Sequence, residues 1–190
     1  MTTIAAVKKG KRLCLASDTL TTVGPRKEIA DKHVSKKGKI IQIGPNYIGA
    51  TGHASWSLVL THYFSKKKVL EWKTEKEVFE VFTSMHQQLK DKYHLHPPTL
   101  HFLPFESSEF SLLIINRHGI FEIEYSRAVR KYSQFSAIGS GEEYALGAIK
   151  SVYDRMEDPE EIAKIGIEAA AHFDQKSGLP IHICCIDLDK

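Results

Sequence analysis

Cysteine is scarce: three in 190 residues, at Cys14, Cys184 and Cys185. That is too few for a disulfide framework, so they are expected to be packing residues in a protein of the reducing cytoplasm. Cys184 and Cys185 point to opposite faces of a regular strand, which leaves a cysteine nucleophile unsupported. Long apolar runs are missing too. No stretch approaches the roughly 18 to 20 residues a membrane helix needs, so no membrane partner is expected. The start, MTTIAAVKKG, lacks the charged, apolar and small-residue layout of a signal peptide. No G-x-x-x-x-G-K loop is present to bind nucleotide phosphates. Neither charge dominates: 26 basic against 23 acidic residues give +3, and the excess lies in short runs such as Lys66-Lys67-Lys68. No aromatic side chains interleave with these lysines, so they read as a solvated surface rather than a nucleic-acid platform. His94, His96 and His101 are interrupted by prolines and have no acid or cysteine to complete a ligand set, so no metal or other cofactor is expected.

What is present suffices for one packed domain over residues 1–190, with 42% hydrophobic residues. Short apolar runs at 3–8, 12–17, 39–43 and 47–51 are separated by Lys-Gly and Gly-Pro-Asn, as in two hairpins. The period then changes. Leu58, Val59, His62 and Tyr63 suit a short helix, and Val78, Phe79, Phe82, Met85 and Leu89 suit a longer one, capped by Thr74 and Glu77. Residues 94–109, with three prolines, read as a loop. Strands return at 110–116, 120–125 and 134–138, followed by a helix from Ser140, at capping-box spacing from Glu143, to Asp154. Asp158-Pro159-Glu160-Glu161 starts a last helix to Phe173. A strand at 181–187 closes the chain. Strands and helices that come in groups predict an antiparallel α+β layered sandwich rather than βαβ units.

The second residue carries the chemistry. Its small side chain permits removal of Met1, and Thr2 then holds a hydroxyl and an α-amine on one residue. An α-amine has an ordinary pKa of about 7.7 to 8.0, so it can accept the hydroxyl proton without a histidine. Taken singly, Met-Thr carries little information. Four segments in consistent order add to it: TTIAAVKKGKRLCLASD, YIGATGHAS, AIGSGEEYALGA and FDQKSG before the final apolar strand. Together they resemble the proteasome β-subunit family in its bacterial single-subunit branch. The resemblance implies an amino-terminal-nucleophile hydrolase with a four-layer αββα sandwich, assembled into homo-oligomeric rings around a proteolytic chamber.

Matched residue by residue, the resemblance makes Thr2 the nucleophile. Asp18 in ASDT matches the family's acidic residue after the second strand, though a turn aspartate reads the same way. Lys39, opening KIIQI, matches the family lysine if an insertion separates it from Asp18; Lys36 and Lys32 are the other choices. A cation there would favour the neutral, proton-accepting amine, and Asp18 would hold the ammonium. Gly49 and Gly52 match a glycine pair, with the Gly49 amide facing the oxyanion; a tight turn would also explain them. Ser140 matches a serine near the threonine amine, or simply caps a helix. Asp174 and Ser177 match residues that complete the hydrogen-bond network. The implied activity is a threonine endopeptidase of the cytoplasm acting on peptides or unfolded protein, with a separate ATP-dependent unfoldase as a partner in some relatives. Two alternatives are a non-catalytic ring subunit that keeps Met1, and a small-molecule amidase of the same fold.

Overall fold

The computed structural model describes residues 2–23, 26–28, 39–69, 71–93 and 106–188. Met1, Lys32, Lys36, His94, His96 and His101 lie outside the described residues. Two strands open the chain, β1 (Thr3–Lys9) and β2 (Arg12–Asp18), joined by a turn in which Gly10 takes a positive φ of 55°. A small hairpin follows, β3 (Thr21–Val23) with β4 (Arg26–Glu28), then β5 (Ile40–Ile43) and β6 (Asn46–Ala50). Helices α1 (Trp56–Phe64) and α2 (Glu75–Tyr93) come next, then strands β7 (Leu112–Asn116), β8 (Gly119–Ile123), β9 (Val129–Tyr132) and β10 (Phe135–Gly139). Helices α3 (Glu142–Tyr153) and α4 (Pro159–Phe173) precede the last strand, β11 (Ile181–Asp187).

The strands form two main antiparallel sheets, in the orders β10-β1-β2-β11 and β5-β6-β7-β8-β9. Three apolar layers join them into the expected αββα sandwich. Phe82, Met85 and Leu89 of α2 pack with Trp56 and Leu60 of α1 on Ile48, Leu112 and Phe121 of the five-stranded sheet. Ala145 and Ile149 of α3 and Ile162 and Ile167 of α4 cover Ala5, Val7 and Ala16 of the other. Between the sheets lie Ile4, Ala6, Leu13, Leu15, Leu113 and Ile115. Alternate residues of β1 therefore serve two different cores, which is why the strand reads as one apolar run instead of an apolar–polar alternation. Each fully buried Ile or Leu contributes roughly 1.5 to 3 kcal/mol, so the sheet-to-sheet layer is fixed firmly enough to position what hangs from its end.

Several expectations change at this level. Glu143 and Ser140 form no capping box: Gly141 is the N-cap of α3, and Ser140 turns its hydroxyl to Asp174. Thr74 does accept the Glu77 amide at 3.2 Å, but the Glu77 carboxylate answers the Lys73 amide, one residue earlier than a reciprocal box requires. Asp158 caps α4 as expected, accepting the Glu160 amide at 3.0 Å. Leu58 and Phe79 are exposed rather than on their helices' buried stripes. The cysteines are not all packing residues. Register places Cys14 opposite Cys185, and a disulfide joins them, leaving Cys184 as the free thiol. That pairing removes the cysteine count as an argument for a reducing compartment. Among the described residues, no helix is long and apolar enough to cross a membrane.

Candidate active site

The start of β1 sits between the turn after β10 and the loop after α4. Extending the strand's alternation back by one residue puts Thr2 on the face of Ile4, toward the gap between the sheets, and Thr3 on the face of Ala5, toward α3 and α4. Both are buried: Thr2 is 6% exposed and Thr3 fully enclosed. The Thr2 carbonyl accepts the Ser140 amide at 3.0 Å. Gly139, with φ of 106°, lets that carbonyl approach; a Cβ there would overlap the Thr2 oxygen.

Asp18 ends β2 beside this point, with no exposed surface. Its Oδ1 accepts the Thr3 amide at 2.9 Å and the Lys39 ammonium at 2.8 Å. Its Oδ2 accepts the amides of Leu20 and Gly178, each at 3.1 Å. A buried carboxylate is tolerated because every one of these donors is in place. Lys39 immediately precedes β5, so one ion pair links the two sheets. Burial pulls the Lys39 pKa below its ordinary value, against the opposing pull of Asp18 and, more weakly, of Asp174.

On the other side, Asp174 caps the C-terminus of α4. Its Oδ2 accepts the hydroxyls of Ser140 at 2.6 Å and Ser177 at 2.7 Å, and its Oδ1 accepts the Lys176 amide at 3.1 Å. Burial alone would raise the Asp174 pKa, but those hydrogen bonds, with the Lys176 charge, hold it below the usual carboxylate value. Asp18, Lys39, Ser140, Asp174 and Ser177 thus converge on the first two described residues. Gly49 lies inside β6 rather than in a turn. A Cβ there would come within 2.7 Å of the Ile4 side chain, so the glycine lets β1 close on β6 two residues from Thr2. Gly52 occupies the turn that follows, with φ of 107°.

Sequence reasoning missed Thr3, Gly139, Gly141 and Gly178. The doubled threonine and the two glycines flanking Ser140 were the available signals. The Gly141 amide donates to Thr3 Oγ1 at 3.1 Å, an approach that a Cβ at 2.5 Å from that oxygen would block. Among the described residues no cluster of three or more His, Cys, Asp or Glu could hold a metal ion.

Residues 1–186 match the family model described as proteasome subunit. The chain belongs to the proteasome subunit family. A curated member, the ATP-dependent protease subunit HslV of Caldicellulosiruptor saccharolyticus, is 29% identical over 175 residues, which cover 90% of this chain and 89% of that one. The structure of Thiobacillus denitrificans BPH in complex with epoxomicin superposes with a TM-score of 0.91 at 37% identity, covering 99% of this chain and 100% of that one. Trypanosoma brucei HslV, at 22% identity with a TM-score of 0.64 over 97% of this chain and 99% of that one, shares the fold. The sandwich is therefore that of the proteasome-type amino-terminal-nucleophile hydrolases, and family membership supports a threonine-type protease.

Proposed function

We propose that this chain is a threonine endopeptidase whose nucleophile is Thr2 Oγ, exposed for reaction by removal of Met1. In this reading the free Thr2 amine accepts the hydroxyl proton, through a water, as Oγ attacks a peptide carbonyl. The C–N bond then breaks, the leaving amine takes that proton, and the acyl group stays on Oγ as an ester. Water hydrolyses the ester and restores the hydroxyl. The Gly49 amide faces the oxyanion, and Lys39, held by Asp18, keeps the amine in its neutral form by adding positive charge nearby. Ser140, Asp174 and Ser177 fix the position of the chain end. No cofactor enters these steps.

The buried Lys39–Asp18 pair, tied to the backbone of the residue after Thr2, supports this reading more than any other feature. A cation and an anion taken out of water at a strand's end are costly to keep, and a purely structural strand terminus needs neither. Assembly of copies into a ring around a chamber in the cytoplasm belongs to the same reading. So does delivery of unfolded protein by an ATP-dependent partner, after the HslV relative named as a subunit of an ATP-dependent protease.

Three measurements test this reading. Intact mass should show loss of Met1. A peptide epoxyketone should add once per chain, since its ketone takes the hydroxyl and its epoxide takes the amine. Thr2→Ala should lower turnover of fluorogenic peptides by on the order of 10³-fold or more. Retained Met1 with no adduct would instead identify a non-catalytic subunit, and turnover unchanged in Thr2→Ala would end the proposed mechanism.

A further inference from the structure

The Thr3 hydroxyl has no place in the mechanism above, yet its residue is as fully buried as Asp18. It shares a strand face with Ala5 and Val7, whose neighbours are apolar. A hydroxyl in such a place costs stability unless its hydrogen bonds are used. Here their directions can be worked out. Ser177 has one hydroxyl proton, and it goes to Asp174 Oδ2 at 2.7 Å. The 2.6 Å contact between Thr3 Oγ1 and Ser177 Oγ must then be donated by Thr3. Thr3 Oγ1 itself accepts the Gly141 amide at 3.1 Å. A one-way chain results, from the Gly141 amide through Thr3 and Ser177 to the Asp174 carboxylate.

Ser140 closes the circuit. Its hydroxyl donates to the same Asp174 oxygen at 2.6 Å, and its amide donates to the Thr2 carbonyl at 3.0 Å. Thr2 is covalently joined to Thr3, so the loop runs Thr2, Thr3, Ser177, Asp174, Ser140 and back to Thr2. We infer that Thr3 is a positioning residue, whose hydroxyl closes this circuit and sets both the placement of Thr2 and the strength with which the Asp174 charge is felt at the chain end. The inference rests on the proposal that Thr2 is the nucleophile. Removal of the Thr3 hydroxyl would leave the Gly141 amide without its acceptor and take one donor from Ser177. Asp174 would then be less well neutralised, and its field would hold the Thr2 amine more firmly in its protonated form.

Thr3→Val and Thr3→Ser, each confirmed by intact mass to start at Thr2, test this on peptide turnover from about pH 5 to 9. Thr3→Val should lower kcat roughly tenfold with KM little changed, and should move the acid limb of kcat/KM upward by about half a unit. Thr3→Ser should restore most of both. Ser177→Ala should add little on top of Thr3→Val, because both break one chain of bonds. Wild-type kcat and an unmoved acid limb in Thr3→Val, or losses that multiply in the double variant, overturn the inference. Should Thr3→Val fail to fold, Thr3→Ser and Ser177→Ala carry the pH profile: an unmoved acid limb in Ser177→Ala overturns the inference. A wild-type chain that turns over no peptide sinks the Thr2 reading instead. The hydroxyl circuit is then decided by a thermal-unfolding cycle of Thr3→Val and Ser177→Ala, where strict additivity overturns it.

Discussion

Two aspartates flank the chain end, and they hold their charges by different means. Asp18 is fully buried, and its oxygens meet a lysine and three backbone amides. Asp174 is partly exposed at the C-terminal end of α4, where the helix dipole opposes a negative charge, and it is held by two serine hydroxyls and one amide. Charge is balanced by a paired charge in the first case and mainly by oriented neutral dipoles in the second. Loss of Asp18 leaves a cation behind in the interior, whereas loss of the Asp174 charge leaves only hydroxyls that can turn to new partners. The two sites should therefore fail differently.

Asp18→Asn tests the first half and should have the largest effect. Lys39, whose side chain is only 15% exposed, loses its counter-ion. Breaking such a pair from one side typically costs about 3–5 kcal/mol, read from urea unfolding midpoints. Peptide turnover should fall by at least about a hundredfold, because the same cation conditions the Thr2 amine. Lys39→Ala should match it in activity. An Asp18→Asn protein of wild-type stability would show that the lysine finds water easily and that the contrast between the two sites is false.

Asp174→Asn comes next. The amide is nearly isosteric and its oxygen still accepts the Ser140 and Ser177 hydroxyls, but its NH2 replaces the oxygen that accepted the Lys176 amide, so both the charge and that one hydrogen bond are lost. Turnover should fall by roughly tenfold and stability by about 1 kcal/mol, well short of the Asp18 variant. Equal losses in the two variants, measured by the same peptide assay and urea series, would mean that Asp174 acts as the partner of a buried cation too.

This asymmetry was only half legible in the sequence. The layers were, because β1, β2, β7 and the α2 stripe bury enough apolar surface to impose their own periods. Short, charged β9 was not: Arg130 and Lys131 sit between Val129 and Tyr132 on an edge strand whose burial is slight, so pairing with β8 rather than pattern makes it a strand. The β3–β4 hairpin was not read from the sequence either. Asp18, Lys39 and Asp174 could be picked out through resemblance, but nothing local shows that Asp18 meets a cation and Asp174 meets hydroxyls. Lys39 lies 21 residues from Asp18 and Ser140 lies 34 from Asp174, while the Gly178 amide that Asp18 also accepts lies 160 away. Ser140 illustrates the limit well. Its spacing from Glu143 fits a cap, yet the tertiary demand of Asp174 takes its hydroxyl. The Cys14–Cys185 bond, spanning 171 residues, is likewise a product of register and not of spacing.

The smallest effect is also the one that isolates the charge on Asp174. Burial would raise its pKa, but the Ser140 and Ser177 hydroxyls and the Lys176 amide hold it below its ordinary value of 3.8. The folded protein thus binds this proton less readily than the unfolded chain does. By linkage, the stabilising contribution is fully present above the unfolded value and is lost as pH falls through the lower folded one. Asp174→Asn has no proton to take up at this position. Its thermal midpoint should lie a fixed interval below wild type from pH 7 to about 5, and the interval should narrow as pH drops below about 4 toward 3. An interval that stays constant down to pH 3 would show that the carboxylate gains nothing from its hydroxyls as an anion. Asp174 would then be a spacer in the loop before β11, and Asp18 the site's one working charge among the two.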